Sequence, residues 1–237
     1  ACCEESLAIR RQLAHELDTP VSRRDLCVAL TGVADTELAL GRPADARERY
    51  GECLSIGRQL AAELGPPDSR RDVLLCLANL AWSTYTLDEI DVAGRHYEES
   101  LGIARELARE IDTPQARRDL AIGLVNVGDI EQELGRLEAA LPRYRESLDI
   151  ARDLAERVGT PGARRDLCIG LERVAGAEQA LGRLAPALAG FMETVEMSRE
   201  LAGRIGTPGS WRDLAASLNN VGDVERLLGR DTQALAR

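Results

Sequence analysis

The sequence predicts an all-α solenoid of stacked antiparallel helix pairs, and three observations carry that prediction. The tripeptide Arg-Arg-Asp recurs every 47 residues, as Arg23-Arg24-Asp25, Arg70-Arg71-Asp72, Arg117-Arg118-Asp119 and Arg164-Arg165-Asp166, with a fifth copy altered to Trp211-Arg212-Asp213. A gap-free period of this length marks one supersecondary unit repeated along the chain. Within each period the apolar residues return every three or four positions and never alternate with a period of two, so helices are expected and strands are not. Glycine and proline punctuate the periods at recurring places, which sets where helices stop and start.

The third period is the clearest. Thr113 and Pro114 supply a good N-cap and a good first helical residue. Leu120, Leu124, Val127, Ile130 and Leu134 then mark one helix, helix A, which Gly135 ends, as Gly41, Gly182 and Gly229 do elsewhere. Helix B begins near Leu137 and passes through Leu141, Tyr144, Leu148, Ala151 and Leu154 to about Val158, where Gly159-Thr160-Pro161 opens the next unit. By the period, helix A is expected over 20–40, 68–87, 114–134, 161–181 and 208–228, and helix B over 43–64, 90–111, 137–158 and 184–205. A truncated B is expected at 2–17 and another from 231 onward. Connections of two or three residues force neighbouring helices to run antiparallel. Residues 1–237 read as a single solenoid of four full repeats with partial repeats at both ends. Because residue 1 falls mid-repeat and no initiator Met is present, the chain is expected to be a piece of a longer protein. Two local conflicts stand out. Pro142 falls early in a B helix and is expected to bend or delay it; the Gly65-Pro66-Pro67 turn lacks Thr, leaving Ser69 or Asp68 as substitute caps.

Hydrophobic residues make up 44% of the chain but aromatics only 3%, so the core is expected to be Leu and Ala at helical spacing. The formal net charge is -10, from 40 acidic and 30 basic residues. That balance argues against nucleic acid or an anionic membrane surface as partner, since both require a concentrated basic face. The longest apolar stretch, near Val73 to Trp82, is broken by Asn79 and is too short to span a bilayer. No signal-peptide pattern opens the chain.

The six cysteines occupy slots that hold small or aliphatic residues in other periods. Cys27 and Cys168 share a slot with Leu74, Ala121 and Ala215; Cys53 with Ser6, Ser100, Ser147 and Thr194; Cys76 with Ala29, Gly123, Gly170 and Ser217. Free Cys packs in such positions as a small hydrophobe. Cys27 and Cys168 lie three repeats apart, roughly 30 Å if repeats stack at about 10 Å, beyond the reach of a disulfide. The sequence therefore predicts packed free thiols in a reducing, cytoplasmic setting.

The spacing inside each unit resembles the tetratricopeptide repeat. Leu124, Val127-Gly128 and Glu131 take that family's positions on helix A, and Ala140 with Tyr144 its small-then-aromatic pair on helix B. The pair recurs as Ala46 and Tyr50, Ala93 and Tyr97, and Ala187 and Phe191. Four of the chain's seven aromatics thus sit in one slot and are expected to be core. Two departures are evident. Glu stands at positions 37, 131, 178 and 225, where the family has Tyr, and the 47-residue unit exceeds the family's usual length of about 34. In length it is similar to the repeats of kinesin light chain and of arrays attached to large bacterial signalling ATPases and protease-like proteins. The resemblance implies a right-handed superhelix whose A helices line a concave groove that accepts an extended peptide.

On that implied groove, Asn79, Asn126 and Asn220 share one slot with Gly32 and Arg173; an Asn side chain can donate to and accept from a peptide backbone at once. One turn on stand Trp82, Asp129 and Asp223, with Asp35 and Gly176 in the other copies, followed by Tyr85, Gln132, Gln179 and Arg226. Trp82 and Tyr85 break an otherwise polar pattern, as a binding hot spot or as local repacking. The Arg-Arg-Asp motif reads as an anion site or as an inter-repeat ion-pair ladder, and its presence in every repeat favours the ladder. No catalytic or metal-ligating constellation and no cofactor site is expected: His15 and His96 read as surface residues, Cys2-Cys3 is weak evidence for redox or metal chemistry, and no Cys/His cluster has zinc spacing. The partner expected is a protein or peptide, with no nucleic acid and no membrane. The alternatives are a sensor arm of a larger bacterial signalling ATPase or protease-like protein, and end-to-end self-association through the truncated terminal repeats.

Overall fold

The computed structural model describes residues 2–65 and 68–229. Among the described residues there are ten α-helices and no strand: α1 (Cys2–Leu17), α2 (Pro20–Ala39), α3 (Pro43–Leu64), α4 (Asp68–Tyr85), α5 (Ile90–Ile111), α6 (Pro114–Glu133), α7 (Leu137–Val158), α8 (Pro161–Ala180), α9 (Leu184–Ile205) and α10 (Pro208–Leu227). Even-numbered helices are helix A of each repeat and odd-numbered ones helix B. The B helices match the expected spans, and the A helices end one or two residues earlier than the periodicity suggests. The helix expected from residue 231 lies outside the described residues.

The early A-helix ends have a hydrogen-bonding cause. After α2, the Arg42 N–H donates to the Glu37 carbonyl at 2.9 Å and the Gly41 N–H to Leu38 at 2.9 Å. This paired closure needs a left-handed residue at its centre, and Gly41 supplies it with φ of 72°. The same closure follows α6 and α8, at Gly135 and Gly182. After α4 the position is taken by Asp88, at φ 64°. The B-to-A turns open on Thr caps: Thr19, Thr160 and Thr207 each accept from the backbone three residues on, and Thr113 accepts from the Ala116 N–H at 3.2 Å. Ser69, considered as a substitute cap, instead donates its hydroxyl to the Gly65 carbonyl. Pro142 does not delay α7, which starts at Leu137; so near the N-terminus it removes only one ladder bond, the one to the Glu138 carbonyl.

The chain forms two compact units, dividing at Ala116 and Arg117 in the first turn of α6. In the first unit α1 to α5 pack in succession, and Leu7, Leu30, Val33, Tyr50, Leu54 and Leu77 lie within one buried cluster. In the second, α7 to α10 pack in succession around buried residues such as Tyr144, Leu148, Leu171, Phe191 and Val221. Burial of such side chains contributes about 1.5–3 kcal/mol each. The helix B aromatics Tyr50, Tyr97, Tyr144 and Phe191 are all buried, as their slot predicts. Among the described residues no helix is long and apolar enough to cross a membrane.

Candidate functional site

The Arg-Arg-Asp motif resolves into two sets of ion pairs. The second Arg of one repeat meets the Asp of the next: Arg24 with Asp72 at 3.0 Å, Arg118 with Asp166 at 2.6 Å and Arg165 with Asp213 at 3.3 Å. The first Arg turns to helix B of its own repeat, as in Arg23 with Glu63, Arg117 with Asp153 and Arg164 with Glu200. The inter-repeat ladder is therefore present within each unit, and most of the motif's charges are engaged in one set or the other. A second ladder joins successive B helices 41 residues apart: Arg11 with Glu52, Arg58 with Glu99 and Arg152 with Glu193.

With those charges assigned to stacking, the outward face of helix A is left. In the first unit Asn79 is half-buried. Trp82, 51% exposed, stacks on Tyr85 with ring centroids 5.7 Å apart and planes at 24°. In the second unit Asn126 is half-buried and lines an apolar cavity of about 190 Å³ together with Ile122, Val125 and Ile169, with Arg118 and Asp166 among its other walls. Arg173 pairs with Asp129 at 3.1 Å, which joins two of the expected face residues across neighbouring repeats. Asp129 also accepts from the Tyr144 hydroxyl at 2.7 Å, and the Gln132 side-chain amide oxygen Oε1 accepts weakly from the same hydroxyl at 3.5 Å. Burial raises the Asp129 carboxyl above its usual range, and the Tyr144 hydroxyl and Arg173 offset part of that rise. Asn220 is half-buried, and the exposed Asp223 and Arg226 pair at 3.0 Å.

These distances assign Asp129 a structural part as well as a surface one. Tyr50 makes the same bond to Asp35, at 2.5 Å. Where helix B carries Phe191 in place of Tyr, the helix A slot is Gly176, and no carboxylate is needed. Among the described residues no group of three or more His, Cys, Asp or Glu side chains could hold a metal ion. His15 is exposed, whereas His96 is half-buried, and burial lowers its pKa.

The sequence matches no family model and no curated protein. Among solved structures the chain is similar to BtubC (BKLC) from P. vanneervenii, with a TM-score of 0.78 over 99% of this chain and 85% of that one at 20% identity. It is also similar to the nearly identical TPR-like repeats of a putative kinesin light chain from Podosopora anserina, with a TM-score of 0.66, 14% identity, and coverage of 88% and 89%. The fold is that of a tetratricopeptide-like repeat array. A further neighbour, the Rap conjugation gene regulator of the plasmid pLS20 in complex with the Phr* peptide, aligns with a TM-score of 0.60 at 14% identity, over 91% of this chain and 52% of that one.

Within this tetratricopeptide-like frame, the Glu-for-Tyr departure acquires a reason. The Glu131 carboxylate meets Arg143 of helix B at 2.9 Å, and Glu37 lies 3.7 Å from Arg49, in the same slot. Where that slot is Gly190, Glu178 is taken instead by Arg145 at 2.5 Å and Arg183 at 3.3 Å. Where it is His96, the Glu is replaced by uncharged, buried Thr84. The sequence reading missed one feature of the tetratricopeptide-like face. Val28, Leu75, Ile122 and Ile169 share a slot one turn before the Asn row, and all are 40–61% exposed. Their recurrence was visible in the period, but periodic apolar residues read as core until their exposure is known.

Proposed function

We propose that this chain is a protein-interaction scaffold that holds an extended peptide or protein segment along its helix A faces. The observation that carries the reading is the pairing, on three of the five such faces, of an exposed aliphatic with a polar residue one turn later: Leu75 with Asn79, Ile122 with Asn126, Ile169 with Arg173. Exposed aliphatics kept in register are not spent on the fold and invite burial by a partner. An extended segment brings side chains for the apolar row and an unpaired backbone for the Asn row. The fold likeness to a regulator solved with a bound peptide supports the same reading. Peptides selected from a displayed library against the chain test it. Asn126→Ala and Ile169→Asp are expected to weaken the selected peptides by about tenfold or more without changing the melting temperature, and Trp82→Ala/Tyr85→Ala is the corresponding variant of the first unit. Undiminished binding to all three variants would end the proposal.

A second reading, end-to-end self-association, is favoured by α1. Leu13 is 43% exposed, while Leu60, Leu107, Leu154 and Leu201 in the same slot are buried, and neighbouring Ile9 is exposed as well. That stripe is the flank on which a preceding repeat, or another copy's repeat, would pack.

A further inference from the structure

Between the first and second repeats the array carries thiols on both sides of one helix junction. Cys53 on α3 and Cys76 on α4 have sulfurs 2.9 Å apart, against about 2.05 Å in a disulfide. Both are buried, at 2% and 7% exposure. Beside them, the Cys27 thiol of α2 donates to the Cys53 carbonyl at 3.6 Å, and the Thr31 hydroxyl lies 3.9 Å from the Cys53 sulfur. All three cysteines are free thiols.

Packing alone does not account for the pair. In later repeats the same two slots hold Ser100 with Gly123, Ser147 with Gly170, and Thr194 with Ser217. In the first two of these the helix B hydroxyl bonds firmly to helix A: Ser100 donates to the Leu74 carbonyl at 3.1 Å and Ser147 to Ala121 at 2.9 Å. The equivalent bond from Cys53 to the Cys27 carbonyl is 3.9 Å long. A thiol is thus the poorer residue for that bond, and what it adds is redox chemistry.

We propose that Cys53 and Cys76 form a reversible disulfide, cross-linking α3 to α4, when the protein meets a small oxidant of the peroxide class. The Cys53 thiolate attacks one peroxide oxygen and the O–O bond breaks. Cys53 becomes a sulfenic acid, and the hydroxide released takes up the proton that Cys53 lost, leaving as water. The Cys76 sulfur then attacks the Cys53 sulfur: the S–O bond breaks, the S–S bond forms, and hydroxide departs with the Cys76 proton as a second water. Two thiols lose two electrons and two protons, and one peroxide becomes two waters. Cys53 is suited to be the attacking sulfur, because the neighbouring Cys27 and Cys76 thiols lower its pKa. Donating to Cys53, together with burial, raises Cys76. Closing the bond requires the sulfurs to approach by about 0.9 Å, and burial restricts the reaction to small, uncharged oxidants. The cross-link would fix the step between the repeats that carry Val28 and Leu75.

The test uses the full chain with exposed Cys2 and Cys3 changed to Ser. After hydrogen peroxide, remaining thiols are alkylated, the protein is digested without reductant, and the peptides are weighed. The expected result is a Cys53–Cys76 linked peptide about 2 Da lighter than its two thiol parts, lost on addition of dithiothreitol. The melting temperature should rise by roughly 5–10 °C on oxidation. Cys53→Ser, which places the residue of the later repeats in that slot, should fold and lose both the link and the rise, as should Cys76→Ser. Recovery of Cys53 and Cys76 as separate alkylated or over-oxidised peptides, or of a Cys27–Cys53 link instead, would overturn the proposal.

Discussion

Gly128 and Gly176 show how little residue identity says without its surroundings. A Cβ at Gly128 would stand 2.6 Å from the ring of Tyr144, which is fully buried and held by Asp129. A Cβ at Gly176 would meet nothing within 4 Å. Both residues are in helix interiors, where Ala is intrinsically favoured by about 1 kcal/mol. Gly176→Ala is therefore expected to stabilise the chain by about 0.5–1 kcal/mol. Gly128→Ala should destabilise it by about 1–2 kcal/mol, because Tyr144 must shift. Urea unfolding of both variants checks the pair, and the same sign for both would contradict this packing. Ala at the equivalent positions 34, 81 and 175 leaves Gly128 unremarkable in the sequence; its closeness to Tyr144 is a tertiary fact. The Asp129–Tyr144 bond is similar: its two slots were both recognised, but their contact was not.

Between elements, the ion pairs differ by burial more than by geometry. Arg152 and Glu193 bridge α7 and α9 at 3.0 Å with both side chains nearly half in water. Glu193→Ala is expected to cost under about 1 kcal/mol, and the cost should vanish in roughly 1 M salt. Arg143 and Glu131 join α6 to α7 at 2.9 Å with the carboxylate mostly buried. Arg143→Ala strands that carboxylate and should cost about 2–3 kcal/mol at any salt concentration. Equal salt sensitivity in the two variants' unfolding curves would refute this ranking. The Arg-Arg-Asp ladder was legible because its residues repeat in adjacent copies. The B-helix ladder is just as periodic, but its Arg and Glu slots look like ordinary solvated helix positions until the helices are side by side.

For the molecule as a whole, exposed apolar surface is the property that binding and assembly share. If α1 seats on another copy, light scattering over a concentration series should show mass rising with concentration, and Leu13→Glu should hold the chain as a monomer. Unchanged mass for the unaltered chain at every concentration would remove that reading and leave the peptide reading intact. The two-unit division at Ala116 and Arg117 has no counterpart in the repeat pattern, which runs through that point without a break.

The sequence alone determined the period, the helix boundaries to within two residues, the buried aromatics and the tetratricopeptide-like fold, because each follows from spacing along one chain. Helical periodicity, Gly and Thr-Pro punctuation are local, and 47-residue repetition averages out their noise. Only the tertiary structure decided which polar residues spend their hydrogen bonds inside the array, which aliphatics remain in water, and that Cys53 faces Cys76. Those are contacts between different slots on different helices, and a period compares each slot only with itself.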